Sequence, residues 1–135
     1  MNNICKKIFH FILLSSLTIL FVGCSNESNI EVQKEIKSPN GIYTAYAYVW
    51  ENGATTSFQP RVSILTSKSA EKEKKEALLK GANVFSSLRS TTKDIDIKWE
   101  DDKNLTIIYS SDDKDTYTKV DIFNGIKIKY EKKAQ

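Results

Sequence analysis

Cysteine, histidine and proline are scarce in this chain of 135 residues, which has two cysteines, one histidine and two prolines. Cys5, Cys24 and His10 all lie within the first 24 residues. The chain beyond Cys24 therefore lacks the groups that Ser-His or Cys-His catalysis, disulfides and zinc ligation by cysteine or histidine require. P-loop and dinucleotide-binding glycine motifs are missing as well. The sequence thus predicts a protein that is not an enzyme and that holds neither a metal nor a cofactor.

A strong charge of one sign is also missing. The whole chain has 20 Lys and Arg against 17 Asp and Glu, but Lys6 and Lys7 belong to its leading segment. Residues 24–135 have 18 basic against 17 acidic residues, with the two signs interspersed. Nucleic-acid binding depends on a basic surface that neutralises phosphates. The near-neutral chain therefore predicts no nucleic-acid partner.

Only one long hydrophobic run is present, at residues 8–22, directly after the two lysines. It is interrupted by His10, Ser15, Ser16 and Thr18 and ends at Gly23-Cys24. A membrane-spanning helix needs about 20 apolar residues, so this run is too short and too polar for one. The layout is typical of a helical export signal that is cleaved off, here residues 1–23. An uncleaved anchor or an ordinary secretion signal is the alternative.

The four residues that end this segment, Phe21-Val22-Gly23-Cys24, resemble a bacterial lipobox, with Phe21 in place of the usual leucine. That resemblance implies that a diacylglycerol alkylates the thiol of Cys24, which then becomes the new N-terminus. Two or three acyl chains give stable membrane anchoring, whereas one chain binds only reversibly. We therefore expect a lipoprotein held on the extracytoplasmic face of the cell membrane by the lipid on Cys24.

Cleavage before Cys24 would leave 112 residues, enough for one domain and too few for two. Residues 24–37 are mostly polar and predict a tether, either a flexible spacer or a short frayed helix. Residues 38–131 are expected to form a small β domain, and residues 132–135 a C-terminal tail.

Apolar residues alternate with a period of two from Tyr43 onward, which is typical of β-strands. The segment 43–50 has apolar residues on both faces, as in a central strand covered on both sides, although Tyr46, Tyr48 and Trp50 could instead form an exposed binding stripe. Residues 69–81 predict a short helix capped by Ser69 and closed by Gly81. We expect an all-β fold of mainly antiparallel sheet, with about six or seven strands in a sandwich or meander and one short helix.

Two hairpins have a register that the sequence predicts. A five-residue loop at 100–104 pairs Trp99 with Leu105 and Ile97 with Ile107, which places the apolar residues on one face. In the last hairpin a three-residue loop, residues 123–125 with Gly125 left-handed, pairs Ile122 with Ile126 and keeps polar and apolar faces apart.

Short motifs spread over residues 38–130 resemble a family of small bacterial lipoproteins and domains with no assigned activity. They are Ser38-Pro39-Asn40-Gly41 with Tyr43, Gly53-Ala54-Thr55-Thr56 with Phe58, Val62-Ser63-Ile64-Leu65, Asn83-Val84-Phe85, Ile97-Lys98-Trp99 and Asn124-Gly125-Ile126-Lys127-Ile128. In that family a cysteine often precedes the first glycine of the Gly-Ala-Thr-Thr element, whereas Asn52 stands here, so no role of that thiol is carried over. The resemblance supports fold and location and implies no activity.

One loop stands out as a candidate binding site because it combines a glycine with three hydroxyl side chains. It comprises Asn52, Gly53, Ala54, Thr55, Thr56, Ser57 and Phe58. Such a loop could hold a sugar, an anion or a strand edge of a partner. Alternatively, its glycine permits a bulge and its hydroxyls satisfy local backbone groups.

Acidic clusters occur at residues 100–102 and 112–115, where we expect hairpin tips. Neither matches a calcium-binding loop, and solvated turns explain both. The sequence therefore favours a lipid-anchored binding or interaction module of the cell envelope, with a membrane contact through its lipid and an envelope protein or glycan as partner. The alternative is an inhibitor or immunity-type protein that blocks an envelope hydrolase or a toxin.

Overall fold

The computed structural model describes residues 29–51 and 57–133, which form two β-sheets and one α-helix. The strands are β1 (Asn29–Lys37), β2 (Tyr43–Glu51), β3 (Gln59–Thr66), β4 (Phe85–Ser87), β5 (Ile95–Asp101), β6 (Asn104–Tyr109), β7 (Thr116–Lys119), β8 (Ile122–Phe123) and β9 (Ile126–Lys132), and helix α1 is Ser67–Leu79. One sheet has the order β1-β2-β3-β4-β7 and the other β5-β6-β9-β8. The predicted class, mainly antiparallel β with one short helix, is confirmed, while the expected signal helix lies outside the described residues.

Strand β2 is an interior strand of the larger sheet, between β1 and β3, and is covered on both faces, as its alternation predicts. Its Ala45, Ala47 and Val49 face the smaller sheet and belong to the main core. Its Tyr46 and Tyr48, which are 1% and 0% exposed, pack on the other face against α1. These two tyrosines are therefore core residues and do not form an exposed stripe.

Strand β1 corrects the prediction of a flexible spacer for residues 29–37. It pairs antiparallel with β2 from Asn29 opposite Glu51 to Lys37 opposite Thr44. A register shift between Val32 and Lys34 breaks the period of two. Ile30 packs against the core under α1 and Ile36 packs against the main core, so the apolar residues of β1 lie on opposite faces of the sheet.

The β5–β6 hairpin has the predicted register, with Trp99 opposite Leu105 and Ile97 opposite Ile107. Ile95 lies opposite Tyr109, and all of these side chains belong to the main core. Pairing continues to Asp101 opposite Asn104, so the turn is tighter than the five-residue loop that the sequence suggested.

The loop predicted for the β8–β9 hairpin is wrong. Phe123 pairs with Ile126 and Ile122 with Lys127, so the turn has two residues, Asn124 and Gly125, with φ of 48° and 79°. Positive φ at both positions is typical of a type I′ turn, and only the expected left-handed Gly125 is confirmed. The prediction assumed a long hairpin, but β8 has two residues, β7 belongs to the other sheet, and β9 pairs parallel with β6.

Helix α1 is capped one turn earlier than predicted. The cap is Thr66, whose hydroxyl accepts a hydrogen bond from the backbone N–H of Ser69 over 3.2 Å. Gly81 follows the helix with a φ of 116°, as a closing glycine does. Only Ala70 and Leu78 are buried, so most of the helix surface faces solvent.

Candidate functional site at the β2–β3 hairpin end

The predicted binding loop lies only partly within the structure. Residues 52–56 and the lipidation residue Cys24 fall outside the described ranges. Ser57 and Phe58 are described, and both are half-buried. Phe58 forms an isolated antiparallel bridge with Ser90, through two backbone hydrogen bonds of 2.9 Å. The candidate site is therefore built from the two strand ends that flank the loop, which we call the β2–β3 hairpin end.

On the side of the smaller sheet, the β2–β3 hairpin end holds a lysine between two carboxylates. The ammonium of Lys93 is paired with Glu51, at the end of β2, and lies 2.7 Å from Glu31 of β1. It also lies 5.0 Å from the centroid of the Phe58 ring. The hydrogen bonds that Lys93 donates to these two carboxylates raise its pKa. This ammonium is fully engaged within the fold and offers little to a ligand.

On the side of α1, the same hairpin end stacks an arginine on a tryptophan. The pairing of β2 with β3 sets Tyr48 opposite Arg61 and Trp50 opposite Gln59. The guanidinium carbon of Arg61 lies 3.6 Å from the centroid of the Trp50 ring, a close cation–π contact. Its Nη2 donates a hydrogen bond to Oε1 of Gln59 over 2.7 Å.

Among the described residues, no carboxylate balances the half-buried positive charge of Arg61. None of the ion pairs found among the described residues involves Arg61. Burial lowers its pKa, because the guanidinium has lost part of its hydration. An arginine normally compensates such a loss with a carboxylate or phosphate held by its planar fork of five donors. No carboxylate within residues 29–51 and 57–133 supplies that compensation, and Gln59 offers only a neutral amide oxygen.

Two buried donors in this cluster also lack partners. The indole nitrogen Nε1 of Trp50 and the Nε of Arg61 are both buried, and neither makes a hydrogen bond to a described residue. A buried donor without an acceptor costs about 1–3 kcal/mol. Both groups only donate, so the cluster is suited to a ligand that brings acceptor oxygens, such as a carboxylate, a phosphate or a carbonyl group.

Neither acidic cluster forms a candidate catalytic or metal site. Asp101 accepts hydrogen bonds from the backbone N–H of Lys103 and the side chain of Asn104, within its own turn. The second cluster does not lie at a hairpin tip. It forms a 3₁₀ turn, Asp113–Asp115, on the crossover between the two sheets. Across residues 29–51 and 57–133, no group of three or more acidic, histidine or cysteine side chains is placed to hold a metal ion.

Sequence reasoning missed Arg61, because a lone arginine after a proline has no motif. Arg61 can be recognised as a site residue only from the β2–β3 register, which places it opposite Tyr48 and beside Trp50. Among the described helices, none is long and apolar enough to cross a membrane. Comparison of the chain with protein-family models, curated proteins and solved structures gives no match.

Proposed function

We propose that this chain is a lipid-anchored protein of the cell envelope that acts as a binding module and holds an acceptor group of its partner at the β2–β3 hairpin end. The proposed binding role is supported by the guanidinium of Arg61. This group is stacked on Trp50 and has no carboxylate partner among the described residues. The anchoring part is supported by the sequence around Cys24, which resembles a lipobox.

The proposed partner offers a carboxylate or a carbonyl oxygen, from an envelope protein or an acidic glycan. A bidentate acceptor would satisfy the guanidinium donors that Gln59 leaves unbonded, and the ring of Trp50 would fix the plane of the guanidinium. Removing one side of such a desolvated charge pair typically costs about 2–5 kcal/mol of binding free energy. Loss of the guanidinium should thus weaken partner binding by roughly 30-fold or more.

Quantitative capture from envelope extracts tests this function, with the acylated protein as bait. Two variants are informative. Arg61→Gln removes both the positive charge and the planar guanidinium donors, whereas Arg61→Lys keeps the charge and removes only the guanidinium. Lys80→Gln is the matched control, because it removes one positive charge from an exposed residue after α1. We expect a reproducible partner that both Arg61 variants lose and that the control retains. Equal capture by Arg61→Gln, or no reproducible partner at native abundance, would contradict the proposal.

The lipid anchor is tested separately by the mass of the mature N-terminal peptide. The proposal requires a peptide that starts at Cys24 and has diacylglycerol on its sulfur. Maturation should also be sensitive to globomycin, which blocks the lipoprotein signal peptidase. An unprocessed N-terminus would contradict the lipid anchor. The binding role of Arg61 would be unaffected by that result, because the capture experiment tests it separately.

A further inference from the structure

A groove of about 670 Å³ runs between β1 and α1, on the face of the larger sheet that lies away from the smaller sheet. Ile30 and Val32 of β1 form one wall, and Leu78 and Leu79 of α1 form the other. Val32 and Leu79 are 38% and 36% exposed, so the rim of the groove is apolar and accessible.

The polar part of the groove is basic. Lys74 and Lys75 line it, and none of the described residues that line it is acidic. Lys74 lies 2.5 Å from Glu35, whereas Lys75 forms no ion pair within the described part of the chain. Residues 67–80, which contain α1, have five lysines and three glutamates. Exposed apolar side chains beside a lysine without an ion pair match the interface of an anionic bilayer.

The groove lies close in sequence to Cys24, which favours the bilayer over a protein partner as its occupant. Asn29, the first described residue, lines the groove. Only five residue steps separate it from Cys24, which spans at most about 17 Å of extended chain. If Cys24 is acylated, the lipid surface must lie within that distance of the groove. Strand addition by a protein is disfavoured, because β1 is an edge strand with a bulge and several charged residues.

We infer that this groove docks onto the phospholipid surface that anchors the chain, with lipid phosphates near Lys75 and acyl carbons against Val32 and Leu79. This inference rests on the proposed lipid anchor. Docking fixes the orientation of the domain on the membrane, so that the bilayer lies against α1 and the first residues of β1.

The test uses the acylated protein in vesicles, with a fluorophore on a single introduced cysteine. Leu79→Cys places the label on the groove rim, and Tyr117→Cys places it on β7, the opposite edge of the same sheet, where Tyr117 is 78% exposed. Acylation consumes the thiol of Cys24, and the mature chain has no other cysteine. Quenchers attached to lipid and quenchers dissolved in water then report where each label lies.

In vesicles of equal parts phosphatidylcholine and phosphatidylglycerol, we expect lipid-borne quenchers to reach the label at position 79 but not the label at position 117. Lys75→Gln should lower the ratio of lipid-borne to aqueous quenching at position 79 by roughly fivefold. The reason is that one lysine near an anionic surface contributes about 1 kcal/mol. The control Lys127→Gln, which removes an exposed charge from β9, should have no effect.

Equal access of aqueous quenchers to both labels would overturn the docking inference. The mass of the N-terminal peptide, measured on the same sample, separates two failures. An acylated protein with both labels in water contradicts docking alone. An N-terminus without acyl chains contradicts the anchor and, with it, the argument from tether length.

Discussion

The indole nitrogen of Trp99 in β5 donates a hydrogen bond to the backbone carbonyl of Ile36 in β1, over 3.2 Å. These residues lie 63 positions apart and belong to different sheets. The bond ties the edge strand of the larger sheet to the first strand of the smaller one. Together with the β1–β2 ladder, it holds in the domain a polar segment that looks like a spacer in the sequence.

Replacing Trp99 by phenylalanine should destabilise the protein. The ring would still fill most of its site in the core, but the carbonyl of Ile36 would lose its partner, at a cost of about 1–3 kcal/mol. Urea unfolding followed by circular dichroism measures the change. Tyr117→Phe is the control, because Tyr117 is 78% exposed, and it should unfold at the wild-type midpoint. An unchanged midpoint for Trp99→Phe would show that this bond contributes nothing.

The two-residue turn makes a prediction at Gly125, where φ is 79° and a Cβ atom would meet nothing within 4 Å. Gly125→Ala should therefore lower the free energy of unfolding through backbone strain alone, by about 1 kcal/mol. Asn124→Gly should be neutral or slightly stabilising, because glycine adopts positive φ without strain. Thermal unfolding of both variants measures this, and a stability loss in Asn124→Gly as large as in Gly125→Ala would argue against the turn.

The register of β8 with β9 gives Ile122 and Ile126 very different solvent exposure. Ile126 is 1% exposed and belongs to the main core, whereas Ile122 is 64% exposed. Ile126→Ala should cost about 2–5 kcal/mol of stability, and Ile122→Ala less than about 0.5 kcal/mol. Comparable losses in chemical denaturation would instead support the three-residue loop, which pairs these two residues on one face.

Acid should weaken the contact between α1 and the sheet. The hydrogen bond from Lys74 is the main cause of the lowered pKa of Glu35, which also accepts a bond from Tyr46 over 3.2 Å. Burial and Glu35 raise the pKa of Tyr46 to about 12, so this hydroxyl remains a donor. A carboxyl whose pKa is lowered by folding stabilises the native state above its unfolded pKa, near 4.3. This stabilisation is lost as the pH falls from there through the lower pKa of the folded state.

Glu35→Gln should therefore reduce stability at pH 7 and make the loss below pH 5 shallower than in the wild type. Because this pair is about 40% exposed, the expected difference is a few tenths of a kcal/mol to about 1 kcal/mol. Glu73→Gln is a suitable control, since Glu73 is exposed on α1 and forms no ion pair in the described chain. Parallel pH profiles for wild type and Glu35→Gln would refute this role.

Local alternation was sufficient to predict the strands whose two faces are chemically distinct. The β5–β6 register follows from residues such as Ile97 and Ile107, because one face is buried throughout. Strand β1 escaped prediction because its bulge moves the apolar side chains from one face to the other, so neither face has a regular pattern. The β8–β9 turn was misjudged because the chain changes sheets just before it, which sequence periodicity does not report.

The candidate site was only partly predictable. The loop after Glu51 was identified from its hydroxyls, but the guanidinium of Arg61, which has no carboxylate partner among the described residues, comes from the strand that follows. Its importance depends on the cross-strand position of Trp50 and on the lack of a nearby carboxylate in the described structure. Both are properties of the folded sheet.

The most direct test of the central claim observes the two unpartnered donors during binding. In ¹⁵N NMR spectra, the indole N–H of Trp50 and the Nε–H of Arg61 give separate signals that can be followed as the captured partner is added. If an acceptor of the partner fills this cluster, both signals shift and their exchange with water slows at saturation. Saturable binding that leaves both signals unchanged would contradict the account, because the partner would then bind somewhere else.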